Sequence, residues 1–182
     1  LFPYTTLFRS KRVSNVIDKL NGSRYYFYDA NGNRRTSSGW KKVNGSTAYY
    51  VCDGGYVTSR YTDQKGTKKV YDFDYSKNTW VQKKNMWKTV YRSRYYFGSK
   101  GVATMSYNNS TKKAYKFTGR KWKPAKKLIM KIGNANYYFN SAAKRVVKAG
   151  KYKTADGYIA YVNRRGVVYK REYDLSVKKI GR

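Results

Sequence analysis

The chain has 182 residues, with 41 Lys and Arg against 9 Asp and Glu, no histidine and one cysteine, for a formal charge of +32. These numbers exclude a Ser–His or Cys–His catalytic pair, an intramolecular disulfide and a cysteine-based zinc site. No stretch approaches the roughly 18 apolar residues that a membrane helix needs.

The length suits one ordinary domain or several small modules, and the composition favours modules. Leucine occurs only at Leu20, Leu128 and Leu175 beyond the first ten residues, while tyrosine has 22 copies. Tyrosine buries its ring and keeps its hydroxyl wet, so a Tyr-rich chain suits thin, half-exposed sheets better than a thick core. The charge is also uneven, with no Asp or Glu between Tyr75 and Ala155. Self-repulsion on this scale favours an elongated shape or a bound polyanion: nucleic acid, anionic membrane or an anionic wall polymer.

In chain order, residues 1–10 stand apart. LFPYTTLFRS is what CTC TTT CCC TAC ACG ACG CTC TTC CGA TCT encodes, and that DNA resembles a sequencing-library adapter. Residues 1–10 are expected to be a translated adapter fused to a gene fragment, with the natural N-terminus missing, and are set aside. Residues 11–182 then form a repeat region. One motif is a tyrosine pair followed by a turn: Tyr25-Tyr26-Phe27 with Gly32, Tyr49-Tyr50-Val51 with Gly55, Tyr95-Tyr96-Phe97 with Gly101, Tyr137-Tyr138-Phe139 with Ala143, and a degenerate Tyr161-Val162 with Gly166. A second motif, TKKVYDFDYSKNTWVQKK at 67–84, matches TKKAYKFTGRKWKPAKK at 111–127. The two alternate, giving a larger period of about 45 residues and units of about 19–39, 40–84, 87–127 and 128–173.

Short aromatic and β-branched runs between Asn-Gly, Gly-Gly and Lys-Gly turns predict a β-hairpin in each half-unit, and no helical period competes. Strand alternation puts Tyr25 with Phe27, Tyr49 with Val51, Tyr95 with Phe97 and Tyr137 with Phe139 on one apolar face, joined by Tyr71 with Phe73 and Tyr115 with Phe117. The opposite face, with Arg24, Ala48, Arg94, Asn136, Asp72 and Lys116, is expected to be wetter, making the second tyrosine of each pair the ligand candidate. A lone hairpin is marginal in water, so the predicted fold is all-β: tandem hairpins stacked into an elongated β-solenoid.

The run Gly39-Trp40-Lys41-Lys42-Val43-Asn44-Gly45 to Tyr49-Tyr50, then Gly55, Val57 and Thr58, resembles the Gram-positive cell-wall-binding repeat family, which includes choline-binding and glucan-binding repeats. The resemblance covers most of 19–170 and is strongest at 19–60 and 87–107. It implies repeats of about 20 residues, each a hairpin, stacked into a solenoid that holds a larger protein on the wall. Choline-binding members place Trp just before the tyrosine pair, where this chain has Arg24, Ala48, Arg94 and Asn136. A choline cage needs several aromatic faces around the cation, and the excess Arg and Lys would repel it. The basic content is instead similar to wall-associated proteins of lactobacilli.

The expected function is a non-catalytic, secreted wall attachment module at the cell surface, a monomer tethered to a larger chain. Its expected partner is cell-wall polysaccharide or teichoic acid, with no specific nucleic acid, cofactor or metal. Phosphates would meet the lysine pairs Lys41-Lys42, Lys83-Lys84, Lys112-Lys113 and Lys126-Lys127, and sugar faces would meet Tyr26, Trp40, Tyr50, Trp80, Trp87, Tyr96, Trp122 and Tyr138. Many weak contacts on a repetitive polymer give avidity without a tight site. The same lysines also suit solubilised turns, and the same tryptophans suit packing between hairpins. The alternative function is a basic nucleic-acid-binding β-repeat protein, since aromatics in a basic groove also bind single strands. Asp72 and Asp74 form a possible carboxylate pair, and Asp29-Ala30-Asn31-Gly32-Asn33 has the look of a calcium loop without its distal Glu. Surface and hairpin-turn roles explain both better, and Cys52 reads as a small strand residue.

Overall fold

The computed structural model describes residues 16–20, 24–29 and 31–176; the adapter-like residues 1–10 lie outside these. The chain divides into two compact units between Lys84 and Asn85. Among the described residues there is no α-helix, and every strand pairing is antiparallel.

The first unit contains a hairpin, β1 (Val16–Leu20) with β2 (Arg24–Tyr28), and a five-stranded meander. The meander runs β3 (Gly39–Lys42), β4 (Thr47–Val51), β5 (Val57–Gln64), β6 (Thr67–Asp74) and β7 (Thr79–Gln82). The second unit opens on a matching meander: β8 (Met86–Val90), β9 (Ser93–Phe97), β10 (Ala103–Asn108), β11 (Ala114–Thr118) and β12 (Lys121–Pro124). A hairpin, β13 (Leu128–Ile132) with β14 (Ala135–Phe139), follows. A three-stranded sheet closes the unit: β15 (Gly150–Lys153), β16 (Tyr158–Val162) and β17 (Val168–Tyr173). Each sheet is open, with two edge strands.

Two kinds of turn explain why the sequence breaks where it does. Lys65-Gly66 (φ 49° and 82°) and Gly119-Arg120 (φ 56° and 63°) are two-residue hairpin turns with both residues left-handed, the geometry that matches strand twist. The second is a five-residue corner. Its first residue donates its N–H to the carbonyl four residues on and accepts from the N–H three residues on. This corner recurs at Asp29, Cys52, Gly98, Asn140, Thr154 and Asn163. The fourth residue is left-handed every time: Gly32, Gly55, Gly101, Ala143, Gly157 and Gly166. Only Ala143 (φ 56°) carries a Cβ there, at a steric cost that glycine avoids.

The corner also fixes the register of the repeats, and in the first copy it differs from the sequence alignment. Tyr26-Phe27-Tyr28, not Tyr25-Tyr26-Phe27, stands where Tyr49-Tyr50-Val51 and Tyr137-Tyr138-Phe139 stand. A one-residue shift exchanges the faces of a strand, so Tyr26 matches the first tyrosine of the other pairs.

The core lies between sheets. In the first unit Phe27, with Ile17 and Tyr25, packs on Val51, Val57, Tyr49 and Trp80 of the meander. In the second unit the β13–β14 hairpin is covered on both faces. Met130, Ile132 and Phe139 pack on Tyr107 and Ala114, while Tyr138 and Ile129 pack on Ala160, Val162 and Val168. Burial on both faces corrects the expectation of one dry and one wet face. Ala48, Ser59, Tyr61 and Val70 share the face of Asp72 and are buried, as are Val51 and Phe73 on the other.

Candidate functional site

The two meanders present the same cross-strand row. In the first, register places Trp40 beside Tyr50, then Ser59, Asp72 and Val81. In the second it places Trp87 beside Tyr96, then Met105, Lys116 and Lys123. The ring pairs match, with centroids 5.5 Å apart for Trp40–Tyr50 and 5.6 Å for Trp87–Tyr96. Both Trp–Tyr pairs were among the predicted ligand residues, and the structure brings each together, half-buried.

Beyond the rings the rows diverge. The Ser59 hydroxyl donates to Asp72 Oδ1 at 2.7 Å, and Lys83 Nζ lies 3.3 Å from Asp72 Oδ2, so the first row is neutralised internally. In the second, exposed Lys116 faces exposed Lys123 across β11 and β12. Lys113 likewise bridges Lys144. Like charges directly opposite one another are destabilising, and no acid lies between Tyr75 and Ala155 to offset them. Sequence reasoning noted Lys116 only as a face-mate of Asp72 and missed Lys123, because the pairing of β11 with β12 creates the couple.

Other predicted residues are placed differently. Tyr138 is 4% exposed, its ring stacked on Tyr152 at 5.2 Å and its hydroxyl donating to the Lys153 carbonyl at 2.7 Å. The β15–β17 sheet covers it, so it is a packing residue and not an exposed ring; burial pushes its phenol pKa up. The Tyr26 ring is faced by the Arg34 guanidinium at 4.2 Å, as Tyr137 is by Arg145 at 4.1 Å. Trp80 packs with Phe73, Tyr49 and Tyr25 at 5.0, 5.9 and 6.4 Å, with the Arg60 guanidinium 5.0 Å from its ring. Trp122 meets Phe117 at 5.3 Å and Tyr95 at 6.0 Å.

Of the lysine pairs, Lys41 donates to the Ser37 hydroxyl at 3.0 Å on the face opposite Trp40, while Lys42 is exposed on the Trp40 face. Lys83 is paired with Asp72 and Lys84 is exposed. Lys112, Lys113, Lys126 and Lys127 are all exposed, Lys112 and Lys127 with left-handed backbone. The hydrogen bonds Lys83 N to Val70 O and Ala125 N to Ala114 O show that Lys84 corresponds to Lys126. The pairs 83–84 and 126–127 are thus offset by one residue.

The carboxylates are used structurally. Asp29 accepts from the Asn31 and Asn33 amides at 2.9 Å, and the Asn33 bond first of all holds its pKa below the usual range. Asp74 accepts from the Ser76 hydroxyl at 2.6 Å, the main cause of its own lowered pKa. The calcium-like segment is a corner and the carboxylate pair is a strand end. No cluster of His, Cys, Asp or Glu able to hold a metal ion occurs among the described residues, and no helix there is long and apolar enough to cross a membrane.

The β15–β17 sheet carries a third version of the row. Lys151 takes the Trp40 and Trp87 position, paired with Tyr161, and Lys170 follows. The ammonium groups of Lys151 and Lys170 lie 5.3 and 5.4 Å from the Tyr161 ring centroid. Glu172 pairs with Lys170 and accepts from the Tyr161 hydroxyl. Hydrogen bonding from Lys170, then Tyr161, lowers the Glu172 pKa, and the same carboxylate raises those of Lys170 and Tyr161. The signal for this row was Gly150-Lys151 standing where Gly39-Trp40 stands, both glycines with positive φ (156° and 125°).

No family model and no curated protein matches the chain. Among solved structures it is similar to alternansucrase in complex with isomaltotriose (TM-score 0.34, 16% identity, 84% of this chain and 10% of that one). It is similar to choline binding protein F from Streptococcus pneumoniae in the presence of a peptidoglycan analogue (TM-score 0.21, 21% identity, 80% and 55%). It is also similar to the choline-binding domain of CbpL from Streptococcus pneumoniae (TM-score 0.21, 21% identity, 86% and 97%). The chain thus spans a tenth of the alternansucrase chain and about half of choline binding protein F.

Proposed function

We propose that this chain is a non-catalytic attachment module that binds an anionic cell-wall polymer at the surface of a Gram-positive cell. The observation that carries this reading is the row Trp87–Tyr96–Met105–Lys116–Lys123. Its half-buried aromatic pair has Trp87, with Met105, resting on the buried Tyr107–Phe139 cluster and keeps the rest of its ring surface for sugar faces; beyond Met105 come two facing lysines, on a sheet with no acid to neutralise them. A phosphate between Lys116 and Lys123 replaces repulsion by attraction, so polyanion binding offsets a cost built into the free sheet. The recurring Trp40–Tyr50 pair and the exposed lysines elsewhere on the chain add weak contacts that together supply avidity. The wider solenoid, in which such sheets continue to stack, the units of about 19–39, 40–84, 87–127 and 128–173, and attachment to a larger secreted protein belong to this same proposal. The retained ligand residues are Trp40, Tyr50, Trp87 and Tyr96 with Lys42, Lys84, Lys112, Lys113, Lys126 and Lys127.

The test is sedimentation of the full chain with purified Gram-positive walls, intact and stripped of teichoic acid, over a salt titration. Binding lost on stripping and in salt supports an electrostatic wall anchor. Absence of wall binding, together with saturable binding to a single-stranded oligonucleotide, would replace it by the nucleic-acid reading.

A further inference from the structure

The β15–β17 sheet contains a hollow that none of the residues discussed for wall attachment lines. Its cavity volume is about 440 Å³, within the range of ligand sites, and its lining includes Lys151, Tyr161, Asn163, Arg164 and Tyr169. Its origin is a register shift. All three meander-type sheets carry a bulge at the same place, between Tyr50 and Val51, between Ala103 and Met105, and between Tyr161 and Val162. The extra residue is Thr58 in the first sheet, Thr104 in the second and Tyr169 in the third. A bulge re-aims its side chain, and here it sets the Tyr169 ring 6.2 Å from that of Tyr161 at 64°, with Tyr169 66% exposed.

We infer that this hollow is a discrete subsite for one anionic sugar unit, a saccharide bearing a phosphate or a carboxylate. The two rings meet at an open angle, which suits the apolar faces of a puckered sugar; a flat base would want a parallel slot. The hydrogen bond to Glu172 holds the Tyr161 ring in place. Asn163 Oδ1 is taken up by the Arg165 and Val167 amides, leaving its Nδ2 as a donor for a sugar hydroxyl. Glu172 pairs with Lys170 and is also felt by Lys151, which lies over the Tyr161 ring; Arg164 and the part of the Lys151 charge that one carboxylate leaves over supply the charge for the anionic group. The aromatic partner of the sister sheets, Trp40 or Trp87, has become a cation here, and the small bulge residue has become a ring. Together the two exchanges turn a packed row into a charged, open one.

The inference deepens the wall-attachment reading and takes its ligand class from it. Its test is a chemical-shift titration of the tyrosine rings in the full chain with glucose 1-phosphate and glucuronate, and with glucose and inorganic phosphate as controls. Two variants restore the residues of the sister sheets, Tyr169→Thr and Lys151→Trp. Saturable shifts of Tyr161 and Tyr169 with the anionic sugars are expected, weakened about fivefold in Tyr169→Thr. In Lys151→Trp the preference of glucose 1-phosphate over glucose is expected to shrink to what Arg164 alone sustains. A stronger response to one anionic sugar assigns the anion as phosphate or carboxylate. Equal shifts with inorganic phosphate alone, or an unchanged titration in Tyr169→Thr, overturn the subsite. Wall sedimentation of the same samples separates the two ideas. Wall binding without a sugar titration removes the subsite and leaves the anchor; a sugar titration without wall binding does the reverse.

Discussion

The β3–β7 and β8–β12 meanders have one strand plan, one bulge position and one Trp–Tyr pair, yet they differ in what the rest of each sheet does. In the first, Asp72 takes up Ser59 and Lys83, and Trp80 is drawn into a cluster under the β1–β2 hairpin. In the second, the residue matching Asp72 is Lys116, and the tryptophan matching Trp80, Trp122, lies on exposed β12 between lysines. The backbone is the constant, held by corners and hairpin turns. The chemistry is set by a few side chains on the row. The first row is neutralised internally and the second leaves two lysines facing each other.

The largest test of that contrast compares the two tryptophans. Trp80→Ala should cost about 2 kcal/mol of stability, since its half-buried ring packs on buried Phe73 and in the cluster under the β1–β2 hairpin. Trp122→Ala, whose half-buried ring meets half-buried Phe117 and Tyr95, should cost about 1 kcal/mol in the same urea titration. Equal losses would break the comparison. Next, Lys116→Asp with Lys123→Val gives the second row the last two residues of the first, Asp72 and Val81. Wall affinity should fall about tenfold, about 1.4 kcal/mol, with no loss of the far-ultraviolet circular dichroism signal. The reciprocal Asp72→Lys should leave wall binding no weaker and cost about 1 kcal/mol in stability, since the buried Ser59 hydroxyl loses its acceptor.

A smaller effect separates the corners. Ala143→Gly should raise stability by about 0.5 kcal/mol, and Gly101→Ala should lower it by about 1 kcal/mol, because both residues are left-handed. Thermal melts that move the other way would show that the corner does not set the register. The smallest expected effect is in acid. Asp29 and Asp74 are held below the ordinary carboxylate value of about 3.9, so what they contribute is complete above it and is lost as pH falls through their lowered values. The melting temperature should change little through this pair between about pH 7 and 5, then drop below about pH 4. Asp29→Asn keeps the Oδ1 acceptor and should remove part of that drop.

Much of this architecture is legible in the chain itself, because glycine spacing and aromatic pairs report turns and strands directly. The match of 67–84 to 111–127 located β6–β7 and β11–β12, and the Gly-Trp start located β3. What eluded the sequence depends on pairing across strands and between layers. Tyr138 reads like Tyr50 until a following sheet is laid on it. The first tyrosine motif reads one residue out of register, because Phe27 and Tyr28 are both aromatic and only the Asp29 corner distinguishes them. The Lys116–Lys123 couple joins residues seven apart that a hairpin turn brings face to face.

The central claim is tested most directly by measuring wall binding of the full chain and of Lys116→Asp/Lys123→Val side by side, over salt, on intact and teichoic-acid-stripped walls. The account predicts that the native chain binds intact walls in a salt-sensitive way and loses binding on stripped walls, and that the variant binds intact walls about tenfold more weakly than the native chain. Equal binding of both proteins to both wall preparations would contradict it.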